Sequence, residues 1–186
     1  MEVIGLTGVA GSGKDTFFSL VSKYIPFKRF SLADSLKNEL RGSILLKYNI
    51  DILNCSRFDK EIVRPYLVSH AKEMRTNSAG RHWINILNKQ IEKSNEKFIC
   101  ITDIRHAEYE NDELSWLKKE LNGSLIHISQ FTKEEDVIRF IEPANDEERK
   151  NDPVLRDNSD YHIHWKTDIL EAESHVQNFL KLYKKN

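Results

Sequence analysis

The chain has 186 residues, enough for one domain with a substantial core, and 31% of them are charged. The 28 lysines and arginines nearly balance the 29 aspartates and glutamates, so the net charge of −1 argues against broad electrostatic binding of nucleic acid. Cys55 and Cys100 fit no metal or redox spacing and are expected to be reduced thiols. The chain opens on a predicted strand rather than a signal peptide, and no apolar run reaches membrane-spanning length, so we expect a cytoplasmic protein.

The first predicted elements are a strand at Val3 to Leu6, a glycine-rich turn and a helix that begins near Lys14. Glycines in such a turn let successive N–H groups converge on phosphate oxygens, and the helix N-terminus adds partial positive charge. The lysine supplies a full positive charge, so this P-loop pattern predicts a phosphate site. The usual pattern has Ser or Thr directly after the lysine, whereas Asp15 stands here. The residues expected at the phosphates are Gly8, Ala10, Gly11, Ser12, Gly13, Lys14, Asp15 and Thr16.

The next segments alternate between strand and helix. Residues 27–32 predict a second strand, and a helix capped by Asp34 or Ser35 follows to about residue 48. Residues 49–58 predict irregular structure, and 59–75 predict a helix that Pro65 interrupts. Residues 80–94 predict a helix with Trp83 on its apolar face.

The apolar run 98–102 predicts a buried parallel strand that ends at Asp103 and Arg105. A helix over 107–121, a strand over 125–129, a charged stretch over 131–160, a strand over 161–165 and a helix over 169–185 follow. Five short strands alternating with helices predict a parallel α/β sheet with helices on both faces. Ligands bind such sheets at the carboxyl ends of the strands, where the glycine-rich loop, Ala33-Asp34 and Asp103-Ile104-Arg105 would meet.

Four ordered motifs extend this interpretation: GLTGVAGSGKDT, FSLADSLK, RPYLVSHAKEMRTNSAGRHW and FICITDIRHAEYE. Together they resemble the deoxynucleoside monophosphate kinases of bacteriophages and their cellular relatives, within the P-loop nucleoside monophosphate kinase group. The resemblance spans roughly residues 1–110 and continues weakly through 161–182. Ser35 stands where the family often has proline, and 131–160 matches no lid pattern residue by residue. The resemblance implies a single three-layer α/β/α P-loop domain over 1–186, with its core in 1–32, 95–130 and 161–186, a monophosphate-binding region at about 33–94 and a lid at about 131–160.

The resemblance implies transfer of the γ-phosphoryl group of ATP to a (deoxy)nucleoside monophosphate with Mg²⁺. Such transfer needs positioning and cancellation of negative charge. Lys14 and the loop amides would hold the donor phosphates, and Thr16 would contact the α-phosphate. Asp15 would hold Mg²⁺ or its waters, or orient the surroundings of the acceptor phosphate. Asp103 is the Walker-B-like candidate for a Mg²⁺ ligand that acts through water. The expected Mg²⁺ set is Asp15, Thr16 and Asp103, bound partly through water.

The acceptor side needs arginines because two anionic phosphates must approach each other. Arg105 lies at the predicted sheet edge, and Arg75 lies where the family places an acceptor-binding arginine. The further acceptor candidates are Ala33, Asp34, Lys37, Arg64, Arg81 and Trp83, although the helical spacing of Trp83 with Leu87 favours a core position for it. The lid arginines Arg139, Arg149 and Arg156 would close over the donor, with Arg149 or Arg139 as catalytic candidates. The expected protein is a monomer or homodimer that binds neither nucleic acid nor membrane, in the host cytoplasm if virus-encoded.

Three other functions compete with the monophosphate kinase, and the sequence favours each of them less. GLTGVAGSGK also resembles dephospho-CoA kinases, but that family has Ser-Thr after the lysine. A GTPase switch would need an Asn-Lys-x-Asp motif, and Asn88-Lys89-Gln90-Ile91 lacks the aspartate. A non-catalytic nucleotide-binding domain is the third, and Lys14, Asp103 and Arg105 argue against it. The histidines, including His162 and His164, form no evident metal site, and no Ser-His-Asp arrangement is expected.

Overall fold

A computed structural model describes residues 1–134, 137–166 and 169–183 of the chain. It divides into two compact units, one formed by Met1–Arg29 with Glu96–Asn186 and the other by Phe30–Asn95. The strands are β1 Glu2–Thr7, β2 Lys28–Phe30, β3 Phe98–Ile101, β4 Ser124–Glu134, β5 Val137–Phe140 and β6 Tyr161–Lys166. The helices are α1 Lys14–Val21, α2 Leu32–Tyr48, α3 Arg57–Asn77, α4 Arg81–Ser94, α5 Glu113–Ser115 followed by a π-helical turn at Trp116–Glu120, α6 Asp146–Asp157 and α7 Ile169–Tyr183. No described helix combines the length and apolar character needed to cross a bilayer.

The sheet has the strand order β2-β3-β1-β4, and β6 continues it beyond β4. Strand β1 pairs in parallel with β3 and β4, so that Ile4 lies opposite Cys100 on one side and Ser124 on the other. Strand β6 also pairs in parallel with β4. These pairings confirm the predicted parallel-dominated α/β sheet. The structure adds one strand to the prediction, because β5 folds back antiparallel on the far end of β4.

Side chains of β1 alternate between the two faces of the sheet, which brings helices to both. Ile4 and Leu6 belong to the core that Phe17 of α1 and Phe179 of α7 complete, with those two phenylalanine rings 5.3 Å apart. Gly5 points to the opposite face, where Leu117 of the π-helical turn packs against it. Both faces of the central strand are therefore covered, as a buried parallel strand requires.

The predicted helix over 107–121 is wrong in its first half. Asp112 is fully buried, and its carboxylate accepts hydrogen bonds from the backbone N–H groups of Glu108, Tyr109 and Glu113. An Asp side chain that binds nearby backbone amides favours a loop and a helix start over a helix interior. The helical segment therefore begins only at Glu113.

The charged stretch 131–160, for which a lid but no strand or helix was predicted, contains regular structure. Strand β4 extends to Glu134, β5 forms a hairpin with it, and α6 begins after Asn145. The Asn145 side chain accepts a hydrogen bond from the backbone N–H of Glu148 at 2.8 Å, which caps the helix. The residues of β5 are all exposed. A strand that buries neither face does not need the apolar pattern by which strands are predicted, so the sequence contains no signal for it.

The second unit consists of helices α2, α3 and α4. Its core includes Ile44 from α2 and Val63 from α3, and Trp83 of α4 is also buried. The cap predicted at Asp34 or Ser35 is wrong, because Ser31 caps α2 by accepting the N–H of Asp34 at 3.3 Å. The predicted interruption at Pro65 is also wrong, since α3 continues through it. Proline removes one N–H from a helix of 21 residues that a capping box stabilises at its start.

Candidate phosphate-binding site

The loop between β1 and α1 has the backbone of a phosphate cradle. Gly8, Gly11 and Gly13 have φ values of 128°, 81° and 93°, which L side chains rarely adopt. Gly13 is the N-cap of α1, and a Cβ there would lie 2.6 Å from Cζ2 of Trp165. The indole N–H of Trp165 donates to the carbonyl of Ser12 at 3.1 Å. Trp165 of strand β6 thus packs against the loop and leaves no room for a side chain at Gly13.

Lys14 turns back over this loop. Its Nζ donates to the carbonyls of Gly8 at 2.6 Å and Val9 at 2.8 Å. Burial, and to a smaller extent the positive charge of Arg105, lower the pKa of Lys14 from its ordinary value of 10.5 to about 8. The carboxylates of Glu148, Asp15 and Asp103 act in the opposite direction. Strongly shifted pKa values cluster at functional sites, so the shift at the half-buried Lys14 marks this loop as a candidate site.

The two aspartates predicted for Mg²⁺ differ in their surroundings. Asp103 is 6% exposed at the carboxyl end of β3, and the following Ile104 N–H donates to the carbonyl of Leu6 at 3.0 Å. Asp15 and Thr16 are exposed in the first turn of α1. No three His, Cys, Asp or Glu residues of the described chain converge as a metal site. Magnesium bound through one or two carboxylates, phosphates and water needs no such cluster, so this oxygen donor set fits that ion.

Arg105 sits in a loop that Glu113 organises. Glu113 is 4% exposed, and its carboxylate accepts the backbone N–H groups of Arg105 at 2.7 Å and His106 at 3.1 Å. The side chain of Arg105 is 47% exposed, with Nη1 3.5 Å from Oε1 of Glu148. The charges of Asp15, Asp103 and Arg105 all act on the Lys14 ammonium group, so the structure brings these four predicted residues together. Sequence reasoning missed Glu113, because its contact depends on how the loop folds.

Glu148 is the main residue that the sequence interpretation missed. Its side chain is 12% exposed. Its Oε2 accepts the backbone N–H of Ala10 in the glycine-rich loop at 3.2 Å and that of Ala144 at 3.0 Å. The pattern Asn145-x-x-Glu148 was a local signal for a helix start, because Glu favours this position after an Asn cap. Nothing in the pattern indicated contact with a loop 138 residues earlier.

The arginines predicted for the lid lie on exposed positions of the hairpin and helix. Arg139 is on β5, and Arg149 and Arg156 are on α6. The guanidinium of Arg156 is 3.8 Å from Asp157. Their closure over a donor stays a prediction.

The predicted acceptor residues other than Arg105 lie in the second unit. Lys37 forms an ion pair with Asp34 at 2.8 Å, and Arg64 forms an exposed pair with Glu61 at 2.7 Å. Arg75 is only 6% exposed, which is rare for arginine and requires compensating partners. The remaining candidates are the half-buried Ala33 and Arg81 and the buried Trp83. Their role in binding an acceptor stays a prediction.

The second unit also contains a carboxylate shared by two histidines. Glu39 of α2 contacts Nε2 of His70 on α3 at 2.8 Å and Nε2 of His82 on α4 at 2.9 Å. Burial alone would raise the pKa of Glu39, but its hydrogen bonds with His82 and His70 hold the pKa below its usual value. This cluster joins all three helices of the unit.

The expectation that no Ser-His-Asp arrangement exists needs correction. His127 is buried, with Nε2 3.1 Å from Oδ1 of Asp152 and Nδ1 3.3 Å from the hydroxyl of Ser129. Asp152 belongs to α6, so this contact could not be found from sequence spacing. Because the described contacts attach α6 to β4, the arrangement has a clear structural role.

Comparison with known proteins supports the fold. No family model and no curated protein matches the sequence. Shikimate kinase from Acinetobacter baumannii in complex with shikimate matches with a TM-score of 0.53 and 14% identity, over 100% of this chain and 94% of that one. Dephospho-CoA kinase from Campylobacter jejuni matches with a TM-score of 0.52 and 15% identity, over 100% and 98%. Shikimate kinase from Bacteroides thetaiotaomicron matches with a TM-score of 0.51 and 12% identity, over 98% of each chain. At these identities the likeness concerns the fold, and the chain has the fold of these small-molecule kinases.

Proposed function

We propose that this protein is a Mg²⁺-dependent phosphotransferase that moves the γ-phosphoryl group of ATP to a (deoxy)nucleoside monophosphate. The observation that supports it most is the placement of Lys14. Its ammonium group donates to carbonyls of the glycine-rich loop. The charges of Asp103 and Arg105, which follow the carboxyl end of the neighbouring strand β3, act on this ammonium group. A lysine, a carboxylate and an arginine at the carboxyl ends of adjacent parallel strands are the parts that phosphoryl transfer requires.

Each residue has a distinct part in the proposed reaction. The loop amides and Lys14 would bind the donor phosphates, with Lys14 exchanging its bonds to loop carbonyls for bonds to phosphate oxygens. Asp103 and Asp15 would hold Mg²⁺, with Thr16 beside them, and the bound ion would offset negative charge on the phosphates. Arg105 would draw the acceptor phosphate into line.

The acceptor is the least constrained part of the proposal. The four sequence motifs favour a nucleoside monophosphate, and the expected contacts in the second unit are Arg75, Lys37 and Trp83 with Ala33, Asp34 and Arg64. The fold is shared with kinases of shikimate and dephospho-CoA, so these two acceptors are the specific competitors. Asp15 in place of Ser or Thr after Lys14 favours the monophosphate kinase.

A substrate panel tests the proposal. Purified protein with saturating MgATP is offered dTMP, dGMP, dCMP, dAMP, the corresponding ribonucleotides, dephospho-CoA and shikimate, and ADP formation is measured against a no-acceptor blank. We expect acceptor-dependent ADP formation with at least one monophosphate. Turnover restricted to dephospho-CoA or shikimate would overturn the acceptor assignment. Tight ATP binding without turnover of any acceptor would instead indicate a non-catalytic nucleotide-binding domain.

A further inference from the structure

We propose that the Glu148 carboxylate occupies an anion position of the glycine-rich loop in the nucleotide-free protein, and that donor phosphates must displace it in order to bind. This inference rests on the proposed function only in assuming that the loop is the donor site. Glu148 would then act as an internal competitor that sets how much free nucleotide is needed to fill the site.

The contacts of Glu148 match those that a bound phosphate would make. Its Oε2 accepts the N–H of Ala10, one of the amides between Gly8 and Gly13. Its Oε1 lies 3.5 Å from Nη1 of Arg105. Backbone amides of a P-loop recognise donor phosphate oxygens, and a carboxylate is an anionic acceptor of the same kind. The guanidinium of Arg105, which is proposed above to align the acceptor phosphate, is a second partner that holds the carboxylate at this position.

The carboxylate and a phosphate cannot share this position. An acceptor already bonded to the Ala10 N–H leaves that donor unavailable, and the side chain is only 12% exposed, so little water separates the two anions. Glu148 also opposes the lowering of the Lys14 pKa, which places its charge close to the ammonium that the donor needs. Donor binding therefore requires Glu148 to leave.

The displacement can be local. Asn151 of α6 accepts the backbone N–H of Ala107 at 3.0 Å, and Asp152 contacts His127 at 3.1 Å. These contacts hold the middle of α6 without involving Glu148, which lies in the first turn of the helix. Rotation of one side chain, or opening of that first turn, would release the loop while α6 stays attached.

The test compares ATP binding by wild type, Glu148→Gln and the matched control Glu147→Gln, measured by isothermal titration calorimetry. Glu147 is the exposed neighbour on the same turn, so the control removes the same formal charge without touching the loop. We expect Glu148→Gln to bind ATP about tenfold more tightly, as loss of one charge-assisted competitor implies. The control should bind as wild type does. Thermal unfolding without nucleotide checks folding, and Glu148→Ala is the second variant if the glutamine variant is unfolded.

Two results would overturn the inference while leaving the proposed function intact. Equal ATP affinity in wild type and Glu148→Gln would show that the carboxylate does not compete. Weaker ATP binding in Glu148→Gln would make the carboxylate part of the donor site. If neither wild type nor the variant binds ATP, the donor site itself is refuted, and the proposed function fails together with the inference.

Discussion

Replacing Lys14 by Met should remove activity and also change how the stability of the protein depends on pH. Lys14 has a folded-state pKa of about 8 against an ordinary value of 10.5. Between these values the unfolded chain binds more protons at this position than the folded chain does. The unfolding free energy of the wild type therefore rises with pH in this window. In Lys14→Met this position does not titrate, so that part of the rise is absent.

The size of the effect follows from the pKa difference. Each pKa unit corresponds to about 1.4 kcal/mol, so holding Lys14 charged in the folded protein costs about 3 kcal/mol at neutral pH. Proton linkage leaves about 1.4 kcal/mol of this cost at pH 9.5. The difference in unfolding free energy between wild type and Lys14→Met should thus shift by about 2 kcal/mol in favour of wild type between about pH 7 and 9.5. Loss of the bonds to Gly8 and Val9 affects both measurements similarly and largely cancels.

Urea unfolding of both proteins at the two pH values, followed by tryptophan fluorescence, measures this shift. Lys23→Met, which removes an exposed lysine from the same unit, is the reference for losing a surface charge. Phosphoryl transfer by Lys14→Met should be undetectable in the substrate panel. A stability difference that is constant with pH, or that moves the other way, would refute the argument that Lys14 is kept charged against desolvation. Near-wild-type turnover would remove the lysine from the mechanism.

Three further substitutions test separate parts of the structure. Gly13→Ala places a Cβ against Trp165 at a positive φ and should destabilise the protein by about 1–3 kcal/mol in urea unfolding and abolish ATP binding in calorimetry. Arg105→Ala should raise the KM for the monophosphate and lower kcat, with the KM for ATP nearly unchanged in steady-state assays, because its guanidinium is proposed to align the acceptor. Glu39→Gln weakens the bonds to both histidine partners and should lower the unfolding free energy by about 1 kcal/mol at neutral pH. Because the pKa of Glu39 is lowered, the difference should disappear as pH falls through that pKa.

Each of the three has its own contradicting result. Gly42→Ala is the control for Gly13, since a Cβ at Gly42 meets nothing within 4 Å and should stabilise α2 by about 0.5–1 kcal/mol. Equal effects of the two alanines would refute the steric argument. Loss of ATP affinity in Arg105→Ala would reassign that arginine to the donor site. An acid-insensitive stability difference for Glu39→Gln would mean that its charge does not stabilise the cluster.

The phosphate loop and the sheet were predictable because both depend on local sequence. A strand, three glycines at positive φ and a lysine lie within 14 consecutive residues, and their spacing alone determines the turn. The apolar runs at Val3 and Phe98 indicated buried parallel strands, since a strand covered on both faces has no polar side. The order of Asp103 and Arg105 after β3 placed them at the correct edge by topology.

Two mispredicted segments show where local sequence was a poor guide. Asp112 prevents a helix over 107–111 by binding three backbone amides, although the surrounding composition favours a helix. The stretch 131–160 looked like a loop, because β5 is exposed on all its residues and α6 is highly charged. In the first segment individual hydrogen bonds outweighed the average propensity, and in the second an exposed and charged composition hid regular structure.

By itself, the sequence determined the phosphate-loop motif, the alternation of strands and helices and the residues at the sheet edge, because each depends on neighbours along the chain. Only the tertiary structure decided which acidic groups face that loop. Glu148 reaches Ala10 across 138 residues, and Glu113 holds the Arg105 loop through backbone amides. Such contacts depend on where α6 and α5 pack. Packing brings together residues that are far apart in the chain, and their spacing in the sequence does not predict the contact.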